Sequence, residues 1–252
     1  MIRFFLAFCA LPIMAQAQSP MTFLNNPDAN RVLTFGIGYA DREGGTRDSE
    51  TLTGTTTWVN PVTDRLTMIY GLVGSDADIF DIATGTETEN RSMGGQIGAR
   101  YRLNPTFTTL SASVFYNSVD GDLTTGGVTT RTSDGNAGFA LGVDQPIRLG
   151  SETWGSIGLY YSDIPAEDSA TGTLVTSIAH RVTEDVTLFA GIDFAMSENS
   201  LTLSRDDVSQ TVTLGTTYAI SERVTLGANA RTLLGEDEHA LNLSISIAFP
   251  GN

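Results

Sequence analysis

The sequence predicts an all-β chain: a closed antiparallel transmembrane β-barrel of about 12 strands, with short periplasmic turns and long extracellular loops. Three observations predict it. After Arg31, apolar residues alternate with small or polar ones, as in strands with one face against a nonpolar medium. The alternating runs are joined by connections that tend to alternate between short and long. Acids gather in the long connections: 21 of the 29 Asp and Glu fall there, so the strand interiors lack the charges that a soluble sandwich places on its solvent side.

The chain opens with an address. Met1-Ile2-Arg3 is a short basic start, Phe4 to Met14 is apolar apart from Pro12, and Ala15-Gln16-Ala17 has the small-x-small form of a processing site. Residues 1–17 therefore read as a signal peptide cleaved after Ala17, and 18–30 as a periplasmic N-terminal segment before a barrel over 31–252. Cys9 follows Phe8 inside the apolar run, which does not suit lipidation. Processing removes Cys9, the sole cysteine, and Arg3, leaving 13 Arg, no Lys and 29 acids, a formal charge of −16. Such a balance excludes a nucleic-acid phosphate binder, and a cysteine-free chain excludes a disulfide framework or a Cys-based zinc site.

Period-two runs place strands near 31–40, 51–59, 65–74, 92–102, 107–116, 135–144, 154–161, 172–180, 186–195, 208–219, 223–232 and 240–249. The last is the clearest, with Leu241, Leu243, Ile245, Ile247 and Phe249 alternating with Asn242, Ser244, Ser246 and Ala248. The first alternates Leu33, Phe35, Ile37 and Tyr39 with Thr34, Gly36 and Gly38. In the ninth, Phe189 breaks the alternation of Leu188, Ala190 and Ile192 with Thr187, Gly191 and Asp193. The short connections repeat an apolar–Thr/Ser/Asn–x–x–apolar–Thr pattern. It appears at Val62–Thr67, Leu103–Thr108, Val182–Thr187 and Ile220–Thr225, and the wide gap between the middle two leaves room for a degenerate copy near Val143-Asp144-Gln145-Pro146.

A membrane-spanning sheet must close on itself, because an unpaired backbone N–H or C=O has no partner in lipid. The Leu, Ile, Val and Phe face would then meet lipid, and the face rich in Gly, Thr, Ser and Ala would enclose the interior. A sandwich would instead bury Leu33, Leu226 and Ile245 in a dry centre. Aromatics near strand ends suit interfacial belts: Trp58, Tyr101, Phe107, Trp154, Tyr218 and Phe249 at the short-turn end, and Tyr39, Tyr116, Tyr160, Tyr161 and Phe194 at the other.

In these features the chain resembles the Gram-negative outer-membrane β-barrel proteins over nearly all of 31–252. The resemblance implies a porin-like protein of the cell outer membrane, surrounded by lipid and lipopolysaccharide. It also implies insertion by the barrel-assembly machinery, which reads a terminal strand ending in an aromatic residue; here Pro250-Gly251-Asn252 follow Phe249. The repeated turns resemble those of transporter barrels associated with phenol-degradation operons.

Parity selects polar lumen-lining candidates: Gln96, Arg100, Arg102, Asn136, Asp144, Asp193, Asn229 and Arg231. Arg100, Arg102 and Asp144 fall near the short-turn end, and Asp193, Asn229 and Arg231 nearer the loop end. Arg and Asp facing each other across water would select solutes by charge. The other inner positions are mostly small and are expected to leave the lumen of a twelve-stranded barrel unfilled. These readings favour passive diffusion of small solutes through a narrow passage. They leave two alternatives, a non-conducting structural or adhesin-type barrel working through acidic loops, and an outer-membrane lipid hydrolase.

The enzyme reading lacks its motif. The His-x-Ser of outer-membrane phospholipases is missing at both histidines, since His180 precedes Arg181-Val182 and His239 precedes Ala240-Leu241. No catalytic residue, metal site or cofactor is expected, and no nucleic acid. The acidic links, including Asp76, Asp78, Asp120, Asp122 and Glu236-Asp237-Glu238, match no twelve-position EF-hand loop and read as a solvated face.

Overall fold

Alternation becomes architecture through the backbone, whose donors and acceptors must all find partners if the apolar side is to face lipid. In the computed structural model the described residues are 31–43, 47–103, 108–167, 169–198, 208–235 and 237–249. The predicted signal peptide and the segment 18–30 lie outside them, as do Phe107, Asp206, Asp207, Glu236 and the last three residues. The strands are β1 (Arg31–Glu43), β2 (Arg47–Pro61), β3 (Leu66–Asp81), β4 (Thr86–Arg102), β5 (Thr109–Thr125) and β6 (Val128–Arg148). They continue as β7 (Thr153–Ile164), β8 (Ser169–Arg181), β9 (Val186–Glu198), β10 (Val208–Ser221), β11 (Val224–Leu233) and β12 (Asp237–Phe249). Each strand pairs antiparallel with its neighbours in sequence, and β12 pairs with β1 from Arg31↔Phe249 to Glu43↔Asp237, which closes the barrel. Trp58 packs on Phe249 at this seam, with ring centroids 5.6 Å apart.

The apolar face is outside. Leu72 is 65% exposed, Met93 73%, Val114 62% and Leu159 58%, and no large side chain among the described residues is fully buried. Ile245 and Leu226 belong to this exposed set, so there is no sandwich core. Tyr39, Tyr70, Tyr101, Tyr116, Tyr161 and Tyr218 also point outward.

The repeated turn motif has a local cause. In the β2–β3 turn the Thr63 hydroxyl accepts from the N–H groups of Arg65 (3.2 Å) and Leu66 (3.0 Å). Thr183 does the same for Asp185 and Val186, and Ser221 for Arg223 and Val224. A short hydroxyl side chain at the second motif position thus satisfies two backbone donors that a tight hairpin leaves unpaired. The expected degenerate copy at Val143–Pro146 is not a turn: those residues lie within β6. The chain reverses at Leu149–Glu152, where the N–H groups of Leu149 and Gly150 both donate to Thr153 O. Gly150 occupies the second position there, so the hydroxyl signal is missing.

The long links are shorter than expected because the ladders continue through them. Most of the link from Ser75 to Arg91 is paired strand, closed by a turn in which Asp81 Oδ1 accepts from the N–H groups of Ala83 and Thr84 (both 3.1 Å). The link from Asn117 to Asp134 ends in a two-residue turn at Gly126-Gly127, with φ of 59° and 81°. Positive φ at both central positions is the type I′ geometry, which glycine adopts without a Cβ clash. Beyond the membrane both faces of a strand are wet, so the alternation fades although the pairing persists.

This extension sorts the acids by face. Asp41, Glu50, Asp78, Glu89 and Asp122 are successive cross-strand partners on β1 to β5, one outward-facing row of carboxylates that ends at Arg131 of β6. Arg131 Nε lies 4.0 Å from Asp122 Oδ1, and in the adjacent row Arg91 Nε lies 3.7 Å from Asp76 Oδ2.

Candidate functional site: the inner wall

Because paired residues share a face, the register assembles the inner wall from every second residue of each strand. Much of this wall is polar and bonded to itself. Thr34 pairs with Ser246 (2.9 Å), Ser75 with Ser92 (2.6 Å) and Ser156 with Ser177 (2.8 Å), and Asn242 Nδ2 donates to Asn229 Oδ1 (3.0 Å).

Most inner positions are small, as the sequence suggested, but the wall also carries large residues that the sequence reading did not single out. Val59, Ile69 and Val73 lie on it, exposed by 5, 6 and 7%. Three aromatic rings also lie there, each seated over glycine: Phe115 over Gly138, Tyr160 over Gly142 and Gly158, and Phe189 over Gly215. In each case a Cβ added to the glycine would run into the ring. Phe189, the exception in the ninth run, is thus an inner residue with a built seat.

Tyr160 was expected in an outer aromatic belt; the structure places it inside. Ile157, Leu159 and Tyr161 are exposed on the outer face, so Tyr160, one residue out of phase with them, turns inward. Trp154 shares the inner parity, at the short-turn end, where the Arg181 guanidinium lies 5.6 Å from its ring centroid. Adjacent Tyr160 and Tyr161 cannot both face lipid from one extended strand, and this is the signal by which parity finds Tyr160.

The predicted residues fall into three groups. Arg100, Asp144 and Asp193 lie around Tyr160, and Arg231 adjoins Asp193. The Tyr160 hydroxyl donates to the Asp144 carboxylate, Arg100 is the electrostatic partner of Asp144, and Arg231 that of Asp193. Tyr160 is within electrostatic range of Arg100, Asp144 and Asp193 together. Gln96, Asn136 and Asn229 stand on the inner face apart from this cluster. Gln96 (8% exposed) lies along Gly71, Asn136 (8%) faces Asn117 across β5–β6, and Asn229 bonds Asn242. Arg102 belongs to neither group: it is exposed at the short-turn rim, where its Nη2 donates to Asp64 O (2.6 Å).

Asp144 stands nearer the short-turn end than Asp193 does, as the order along each strand suggested, yet the sheet connects the two. One cross-strand row runs from Asp144 through Gly158 and Val175 to Asp193. Strands in a barrel tilt, so such a row climbs around the wall and joins residues at different distances from their strand ends. Tyr160 follows Thr153, Asp193 follows Val186 and Arg231 follows Val224 by seven residues each, which sets the three at a common depth on β7, β9 and β11. The result is a band of two cations, two anions and a phenol on the inner wall, with Arg100 and Asp144 toward the short-turn end and Tyr160, Asp193 and Arg231 further along.

No family model matches the chain, and no curated protein matches it. Among solved structures it is similar to the translocator domain of the autotransporter NalP from Neisseria meningitidis, with 12% identity, 93% of this chain and 97% of that one covered, and a TM-score of 0.66. It is similar to an outer-membrane channel from Pseudomonas putida F1, with 14% identity, coverage of 88% and 96%, and a TM-score of 0.62. It is also similar to the β domain of the Bordetella autotransporter Brka, with 10% identity, coverage of 88% and 100%, and a TM-score of 0.60. At these identities the likeness is one of fold: with its closed sheet and apolar exterior the chain has the fold of the outer-membrane β-barrels.

Proposed function

We propose that the protein is a passive channel that lets small polar solutes cross the outer membrane through the interior of its barrel. The observation that carries this reading is the band of Arg100, Asp144, Tyr160, Asp193 and Arg231 on the inner wall. Ionic groups placed inside a membrane protein are expensive unless they serve a wet pathway. Charges of both signs along such a path act on permeant ions at short range, which makes charge a criterion of passage. In this reading Gln96, Asn136 and Asn229 line the same path, and Arg102 guards its periplasmic rim. The NalP domain is a translocator domain, the Brka domain is the β domain of an autotransporter and the Pseudomonas protein is a channel, which agrees with a barrel used as a conduit.

The test is single-channel recording from the purified protein in planar bilayers, with reversal potentials measured in a salt gradient. Discrete conductance steps are expected, and Asp193→Arg and Arg231→Asp should shift the reversal potential in opposite directions. A protein that gives no steps, or two variants with the wild-type reversal potential, rejects the reading.

A second reading, a surface barrel acting through its outside, is favoured by the carboxylate row from Asp41 to Asp122. In that reading the row would meet the anionic lipopolysaccharide layer through divalent cations, and whole cells lacking the protein would be expected to lose surface attachment with solute uptake unchanged. Insertion by the barrel-assembly machinery through β12 belongs to both readings. A lipid hydrolase is not favoured: His180 Nδ1 and Thr153 Oγ1 are 2.9 Å apart at the short-turn end, and His239 lies in β12 opposite Asp41.

A further inference from the structure

We infer that Tyr160, lying on a floor made by Gly142 and Gly158, is the residue that sets the width of the passage; this rests on the channel reading.

Tyr160 stands directly across the ladder from Gly142, and Gly158 precedes it by two residues on the same face of its own strand. Neither neighbour has a side chain, so the phenol can recline along the wall instead of standing out into the lumen. A Cβ at Gly142 would meet ring carbons Cδ1 and Cε1 and the Ser111 hydroxyl, and one at Gly158 would come within 2.6 Å of Cε2, 2.9 Å of the hydroxyl and 3.0 Å of Cζ. The ring therefore covers both glycines, and its bond to Asp144 ties the far end of the side chain to the wall.

Phe115 and Phe189 have glycine seats of the same kind but no hydroxyl with which to fasten them. Tyr160 is also bonded to Asp144 and lies within electrostatic range of Arg100 and Asp193. A side chain that is large, seated and tethered at the depth of the charges determines how much of the lumen there stays open. Deleting the ring should open a notch in the wall. Filling its seat should drive the ring off the wall and narrow the path. Removing only the hydroxyl should leave the ring seated but untied.

The experiment pairs an unfolding measurement with conductance on the same full-length variants. Gly142→Ala, Tyr160→Ala and the double variant are unfolded in urea from detergent, followed by the loss of heat-modifiable gel migration. Gly142→Ala is expected to lower the midpoint in the wild-type background and to have a much smaller effect once Tyr160 is Ala, because the added methyl then meets only the Ser111 hydroxyl, which can rotate away. In bilayers, Tyr160→Ala should raise the single-channel conductance, Gly142→Ala should lower it, and Tyr160→Phe should keep the wild-type mean with noisier open-state current. Additive midpoints overturn the seat, and with it the inference. Coupled midpoints with equal conductance across the variants overturn the assignment of width to Tyr160. A wild-type barrel that conducts nothing rejects the channel reading and the role of Tyr160 within it, an outcome separate from the coupling.

Discussion

Asp78 of β3 stands directly opposite Glu89 of β4, and both have a further carboxylate on the other side, Glu50 beside Asp78 and Asp122 beside Glu89. Like charges directly across a ladder destabilise it by about 0.2–1 kcal/mol per pair. Asp78→Asn and Glu89→Gln are therefore expected to stabilise the projecting sheet, by about 1 kcal/mol at low salt when combined. The comparison is the urea midpoint of the two singles and the double against wild type. The gain should shrink in high salt, where exposed charges are screened within a few ångströms. A lower midpoint for the double would show that the row is held by something that needs its charge.

The turn hydroxyls carry a second prediction. Thr63→Ala, Thr183→Ala and Ser221→Ala each remove the acceptor for two backbone N–H groups at a hairpin tip. The tips are exposed, so water replaces part of the loss, and a cost of about 1 kcal/mol each is expected. The three sites share no partners, so the costs should add in a triple variant. Unfolding midpoints in detergent read this directly, and Thr→Ser at 63 or 183 should restore most of the loss.

The assignment of faces predicts an asymmetry between adjacent residues. Leu214 is 59% exposed on the outer face of β10, and Thr213 beside it faces the interior opposite Arg231. Leu214→Arg places a charge in lipid, at a cost of about 2–4 kcal/mol near the bilayer midplane. Thr213→Arg places it in the polar band and should cost much less in folding. Folding yield into phospholipid vesicles separates the two, and equal yields would contradict the face assignment.

Charge is also distributed along the barrel axis. Arg31, Arg65, Arg102, Arg148, Arg181 and Arg223 lie at or within the short-turn ends, nearly balanced by Asp64, Glu152, Glu184, Asp185 and Glu222, and the carboxylate rows make the opposite end strongly negative. If the interior conducts as proposed, this polarity should make the current–voltage curve asymmetric in dilute salt. The Debye length is about 10 Å at 0.1 M and about 3 Å at 1 M, so the asymmetry should fade between these concentrations. A curve that is symmetric at both would show that the end charges do not reach the path.

By itself the sequence determined the fold class, the number of strands and which face of each looks outward. All three depend on a local property, the period-two alternation imposed by a nonpolar medium on one side, legible in Leu241, Leu243 and Ile245 without any knowledge of neighbours. Six of the eight predicted wall residues were placed on the inner face by that parity and have neighbours there: Gln96, Arg100, Asn136, Asp144, Asp193 and Arg231. Asn229 follows through Asn242. Arg102, with the same parity, escapes to the rim because parity does not say where a strand ends.

The tertiary structure decided which of these residues meet. Only the tilt of the strands carries the row from Asp144 to Asp193, and only the register sets Tyr160 on Gly142 and Asp78 beside Glu89. Register and tilt come from closing twelve strands into one ring, a condition on the whole sheet that no single run of residues records. Strand length was hidden for a related reason: outside the bilayer both faces are wet, so hydrogen bonds alone continue the ladder and the hydrophobic pattern that announces a strand is gone.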